Sequence, residues 1–115
     1  VRTIPLLQNL EFHDRNPYAQ PLYVADDGRV IRFMLQPGQS ISEHNAPSSP
    51  FYVVVLQGNG LFAGADGVES SFGPNDLLIF TSTRPGKPQL ARPTPAPIIG
   101  LELLLIRVQE GILLL

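Results

Sequence analysis

The chain has no cysteine and only two histidines among its 115 residues. Without cysteine, disulfides, thiolate metal sites and a cysteine nucleophile are excluded. Charged residues are also few, at 16% of the chain, against about 25% in an average globular domain. The formal net charge is −2, and the eight basic residues are spread thinly along the chain. We therefore expect no nucleic-acid partner.

Long apolar runs are absent as well. The longest one, Ile98–Ile106, is interrupted by Gly100 and Glu102 and is too short to cross a bilayer. The N-terminus lacks a basic region followed by an apolar one, so no secretory signal is predicted. We therefore predict a cytoplasmic protein with no membrane partner.

Helical patterns are missing too, because no segment combines apolar residues at helical spacing with capping residues. Twelve prolines and ten glycines instead divide the chain into short segments, as in an antiparallel sandwich or barrel. A chain of this length is one domain, residues 1–115, which buries roughly 65% of the surface of its unfolded chain. Seventeen leucines are more than one small core readily hides, which favours a homodimer over a well-filled single barrel.

Seven strands are predicted from short apolar runs that are bounded by turn residues. They are Arg29–Leu35, Ser40–His44, Phe51–Leu56, Leu61–Ala63, Val68–Phe72, Leu77–Phe80 and Ile98–Val108. Residues 84–97 contain five prolines and are predicted to form an irregular loop or an edge segment, since proline cannot donate to a sheet ladder. The apolar tail Ile112–Leu115 is expected to pack on the barrel or on a second subunit.

The stretch around His44 resembles the first sequence motif of the cupin superfamily, in its small single-domain form. That motif is a glycine, five residues, His-x-His, three or four residues, a glutamate, six residues and a glycine. Gly38, His44 and Gly58 keep this register here. Ala46 stands in place of the second histidine, and Phe51 stands in place of the glutamate.

A second cupin motif is matched by the strand Asn75–Phe80 and by the segment Gly86–Gln89, where Gln89 replaces the last histidine. The resemblance covers about residues 30–107. It implies an all-β fold, the cupin-like double-stranded β-helix, or jelly-roll, barrel. Cupins carry many unrelated activities, so the resemblance by itself assigns none of them.

Metal-binding cupins hold a divalent ion with three histidines and one glutamate. Residues 44 and 46 would share the inward face of a strand, but Ala46 has no donor atom. His44 and Gln89 are then the only candidate metal ligands, and a neutral amide is a poor donor for such ions. We therefore expect no cofactor, and a bound divalent metal is the less favoured alternative.

Three roles stay open for His44. It is a hydrogen-bonded residue inside an apolar barrel, a polar anchor for a small organic ligand, or a metal ligand or general base. Our hypothesis is the second role, with His44 and Gln89 as polar contacts and Phe51 and the neighbouring valines as an apolar wall. The protein is then a small-molecule-binding or sensing module.

Two alternatives to this hypothesis follow from the same residues. One is a cupin enzyme, metal-assisted or metal-free and of isomerase or dioxygenase type, that acts on a small polar or sugar-like substrate. No catalytic residue can be named for it. The other is a barrel filled by large inward side chains, for which Met34 and Phe51 are the candidates. His13 lies outside both motifs and is predicted to lie on the surface.

Overall fold

A computed structural model of the chain describes residues 1–41, 51–63, 68–80, 91–93 and 100–108. Over these residues the chain forms eight β-strands and no helix. They are β1 (Tyr18–Ala25), β2 (Gly28–Leu35), β3 (Phe51–Gln57), β4 (Gly60–Ala63), β5 (Glu69–Phe72), β6 (Leu77–Phe80), β7 (Ala91–Pro93) and β8 (Leu101–Val108). This described part of the chain therefore contains no helix that could span a membrane.

The strands form two antiparallel sheets. The larger sheet has the order β1-β2-β8-β3-β6, and the smaller sheet has the order β5-β4-β7. Strands distant in sequence, such as β2 and β8, are neighbours, as in a jelly roll and unlike a meander. Both sheets contribute to one buried core, formed by Leu35, Val53, Val55, Phe62, Leu78 and Leu103. The predicted all-β class is confirmed.

Most predicted strands agree with the structure. β6 has the predicted bounds, and β2, β3, β4 and β5 differ from the prediction by one residue at one end. β8 begins three residues later than predicted, at Leu101. β7 lies in the proline-rich segment and at an edge of the smaller sheet, as expected there. The predicted strand Ser40–His44 is described only as far as Ile41, and the tail Ile112–Leu115 lies outside the described residues.

One strand is not predicted. The sequence predicts no strand before Arg29, yet β1 forms an edge of the larger sheet and pairs with β2. Pro21 obscures the pattern, because proline is accepted in sheets mainly on edge strands and at bulges. Both conditions hold here, since the register between β1 and β2 also shifts between Pro21 and Tyr23.

Two predicted turns, one after β2 and one before β6, each contain a residue with positive φ. After β2, the N–H of Gln39 donates to the carbonyl of Gln36 at 3.1 Å, and Gly38 between them has a φ of 89°. Before β6, Asn75 takes the corresponding position with a φ of 71°. A proline followed by a residue with positive φ is the arrangement of a type II turn. Gly38 of the cupin-like motif therefore has a conformational role.

The N-terminal segment, residues 4–13, forms no strand but is tied to β2 and to the turn that follows it. Three buried side chains bond to its backbone. The guanidinium of Arg32 donates to carbonyl oxygens, the Sδ of Met34 accepts an N–H, and the amide of Gln39 donates to a carbonyl. The segment thus covers the side of β2 that faces away from the core.

The prediction that Met34 points into the barrel is wrong. Met34 is fully buried, but its sulfur accepts the N–H of Glu11, and it does not belong to the core cluster. Its neighbours Phe33 and Leu35 pack in that core, and successive residues of a strand face opposite sides of the sheet. Met34 is therefore buried by the N-terminal segment and takes up no volume between the sheets.

Candidate ligand-binding site

The space between the sheets is lined from both sides by alternate residues of short strands. Val53 and Val55 of β3 and Leu78 of β6 are buried in the core from the larger sheet. Phe62 of β4 is buried opposite them and pairs directly with Ser70 of β5, so these two side chains share the inward face. The valines of β3 are thus part of an interior apolar wall.

A pocket of about 370 Å³, here called the β5–β6 pocket, opens between the edge strands of the two sheets. Its walls come from β4, β5 and β6 and from the residue that precedes β5. The lining residues are Phe62, Val68, Ser70, Phe72, Leu77, Leu78, Ile79 and Phe80. Pockets for small molecules measure roughly 300–1,000 Å³, so this volume admits a small organic ligand.

Among the described residues, the side chains that line the β5–β6 pocket are apolar except for Ser70, and polar backbone atoms are exposed beside them. They come from three phenylalanines, four aliphatic residues and Ser70. The rings of Phe62 and Phe72 meet edge to face, with centroids 5.7 Å apart and planes inclined at 65°. This geometry suits the quadrupoles of the two rings and fixes their orientation at the pocket wall.

The pocket runs from a buried wall to an exposed rim. Phe62 and Leu78 keep only 3% and 8% of their surface exposed, whereas Leu77 and Ile79 keep 60% and 61%. Covering apolar surface contributes about 25 cal/mol per Å² to binding or folding. A molecule that enters the pocket and covers this rim therefore makes the free energy of binding more favourable.

Only one of the three residues predicted to bind ligand can be placed. Phe51 is the first residue of β3 and pairs with Phe80 of β6, which lines the pocket. The structure describes the backbone of Phe51 and not its side chain. His44 and Gln89 lie outside the described residues, so the predicted site stays a prediction.

The described residues contain no group of three or more His, Cys, Asp or Glu side chains that could hold a metal ion. His13 lies on the surface, as predicted. Its Nε2 is 2.9 Å from Oε2 of Glu11, and its ring stacks on Tyr18 with centroids 4.3 Å apart. The expected lack of a metal depends on His44 and Gln89 and is not tested by these residues.

The aromatic lining of the pocket is missing from the sequence prediction. Phe62, Phe72 and Phe80 all lie in predicted strands, but strands of four residues are too short to show which face is buried. A usable signal is the period of two that joins Ser70 to Phe72 and Leu78 to Phe80, because residues two apart share a face.

Solved structures share this fold at low sequence identity. An RmlC-like cupin protein from Desulfovibrio desulfuricans is 16% identical, and the match covers 94% of this chain and 96% of that one with a TM-score of 0.77. The cupin domain of an XRE-family transcriptional regulator from Enterobacter cloacae is 18% identical, with 81% and 96% covered and a TM-score of 0.67. A Ralstonia eutropha protein with the provisional name mannose-6-phosphate isomerase is 15% identical, with 95% and 99% covered and a TM-score of 0.66.

No protein-family model and no curated protein matches the sequence. Structural likeness at such identities shows a shared fold, and a shared fold assigns no activity. The fold implied by the motif around His44 is confirmed: the chain is a double-stranded β-helix of the cupin type.

Proposed function

We propose that this cupin-fold barrel binds a small organic molecule between its two sheets and serves as a binding or sensing module. The observation that carries the proposal is the β5–β6 pocket of about 370 Å³. The pocket is an open cleft between the facing edge strands of the two sheets, with the rings of Phe62 and Phe72 in its wall. A cleft of this volume is large enough to hold a small organic ligand.

In this proposal His44 and Gln89 are the polar contacts of the ligand, and Phe51 belongs to the apolar wall. The pairing of Phe51 with Phe80 supports the last role, since Phe80 lines the pocket. A sensing role is supported by the structural likeness to the cupin domain of a transcriptional regulator. The homodimer and the cytoplasmic location expected from the composition stay predictions.

Thermal denaturation of the full chain with a library of small molecules tests the proposal. A molecule that binds only the folded state at a concentration 100 times its Kd adds about 2.7 kcal/mol to the free energy of unfolding. At least one uncharged or weakly polar molecule is expected to raise the melting temperature by several degrees. A library with no such molecule would contradict a binding function.

Metal content separates the binding module from a metal-dependent enzyme. Because Ala46 and Phe51 offer no ligand atoms where metal-binding cupins have His and Glu, protein purified without chelators is expected to contain no stoichiometric transition metal. Elemental analysis of the wild type, of His44→Ala and of the control His13→Ala measures this. An equimolar ion that is lost in His44→Ala but kept in His13→Ala would favour the enzyme.

A further inference from the structure

We propose that the β5–β6 pocket selects an uncharged aromatic molecule of one or two fused rings with a single polar group. This inference rests on the proposed binding function and names the ligand class of the same pocket. Charge, shape, volume and the position of the polar group are each fixed by a different feature of the lining.

The lack of charge follows from the side chains of the lining. None of the eight lining residues in the described part of the chain is ionisable. A carboxylate or phosphate that entered between Phe62, Phe72 and Leu78 would lose water without gaining a cation from these residues, which is costly. The described side chains of the pocket therefore favour neutral molecules over their charged analogues.

The aromatic character follows from the rings in the wall. Phe62 and Phe72 are already held edge to face, and Phe80 lies on the opposing edge strand. A flat ring placed between β5 and β6 can meet these rings in offset or edge-to-face contact, the arrangements that aromatic pairs prefer. A sugar has no aromatic ring with which to make these contacts.

The size of the ligand follows from the volume. A pocket of about 370 Å³ holds roughly twelve water molecules at ~30 Å³ each. A molecule of about ten non-hydrogen atoms, each taking roughly the volume of a water, fits with some space left at the exposed rim. This corresponds to a single ring with substituents or to two fused rings.

The polar group of the ligand is placed by Ser70. This residue is directly opposite the buried Phe62 in the pairing of β4 with β5, yet it is exposed because the pocket opens to solvent there. Its hydroxyl can donate or accept one hydrogen bond. A ligand with one hydroxyl at its solvent-exposed end can therefore bond to Ser70 while its rings contact the buried wall.

The test uses the full chain and three probes of similar size. 2-Naphthol is uncharged at pH 7 and has two rings and one hydroxyl, 2-naphthoate has the same rings with a carboxylate, and mannose is an uncharged sugar. Isothermal titration calorimetry is expected to show 2-naphthol binding at least tenfold more tightly than 2-naphthoate. No binding of mannose is expected at the same concentrations.

A pair of neighbouring variants locates the site. Ser70→Asp places a carboxylate in the lining and is expected to weaken 2-naphthol binding at least tenfold. Ser71→Asp adds the same charge to the same strand, but Ser71 is exposed and does not line the pocket, so binding is expected to stay within twofold. Circular dichroism verifies that both variants are folded before the titrations.

The possible results test the ligand class, the location of the site and the binding function separately. Tighter binding of mannose or 2-naphthoate than of 2-naphthol would overturn the ligand class and leave the proposed binding function intact. Binding of 2-naphthol that Ser70→Asp leaves unchanged, or that Ser71→Asp weakens equally, would overturn the assignment to this pocket. If no probe binds and the library also yields no ligand, the proposed function itself fails.

Discussion

Replacement of Arg32 by alanine is expected to lower the free energy of unfolding by about 3 kcal/mol and to free the N-terminal segment. Arg32 lies in β2 with 2% of its surface exposed. Its Nε donates to Oε1 of Gln20 at 3.0 Å, and a terminal nitrogen donates to the same oxygen. The other terminal nitrogen donates to the carbonyl oxygens of Leu6 and Gln8 at 3.0 and 3.1 Å.

The loss of stability is large because a single buried guanidinium donates hydrogen bonds to several oxygen atoms. These partners of the guanidinium are neutral, so the carbonyl dipoles of the N-terminal segment offset the cost of burying the charge. Hydrogen bonds from a charged donor contribute about 1.5–3 kcal/mol each. In Arg32→Ala the same oxygens lose their donor, and the segment is expected to leave β2 and become hydrated.

Urea denaturation and hydrogen exchange measure the two parts of this prediction. The amide of Glu11, which donates to Met34, is expected to exchange faster in Arg32→Ala than in the wild type. Arg29→Ala is the matched control, because Arg29 lies in the same strand with an exposed side chain. Equal losses of stability in the two variants would contradict the anchoring role of Arg32.

Gly100→Ala is expected to lower the free energy of unfolding by about 2 kcal/mol. Gly100 lies just before β8, where a methyl group would press against the ring of Phe12 and come within 2.7 Å of the carbonyl oxygen of Leu35. This carbonyl belongs to the last residue of β2, which lies between β1 and β8, so it cannot move without disturbing the pairing of β2 with β8. The close approach of the N-terminal segment to β8 therefore requires glycine.

The control for this variant is Gly73→Ala. Among the described residues, a methyl group at Gly73 would meet only the side chain of Asn59, which can rotate away, so a much smaller loss is expected. The midpoints of urea denaturation of the two variants are compared with that of the wild type. A loss at Gly73 as large as that at Gly100 would refute the explanation by backbone crowding.

The core strands could be predicted because local sequence and tertiary packing agree there. The bounds of β6 and the turns at Gly38 and Asn75 follow from apolar runs and from proline next to a residue that adopts positive φ. β1 could not be predicted, because Pro21 is compatible with a strand only through its place at the edge of the sheet. That place is fixed by long-range pairing with β2.

The candidate site was less predictable than the fold. A motif assigns positions such as His44 and Phe51 through resemblance, but the face of a short strand is decided by its partners in space. Met34 shows this, since it is buried by the N-terminal segment on the side opposite Leu35. The rings of Phe62, Phe72 and Phe80 form one pocket only because β5 and β6 are the facing edges of two sheets.

The central claim is that a small molecule binds in the β5–β6 pocket without help from a metal. Carbon-13 NMR of phenylalanine rings tests it most directly, with the molecule that raises the melting temperature most and with EDTA present. The ring signals of Phe62, Phe72 and Phe80 are expected to shift, while that of Phe12, beside Gly100, stays in place. Unchanged signals from the three pocket rings, or shifts that vanish with EDTA, would contradict the claim.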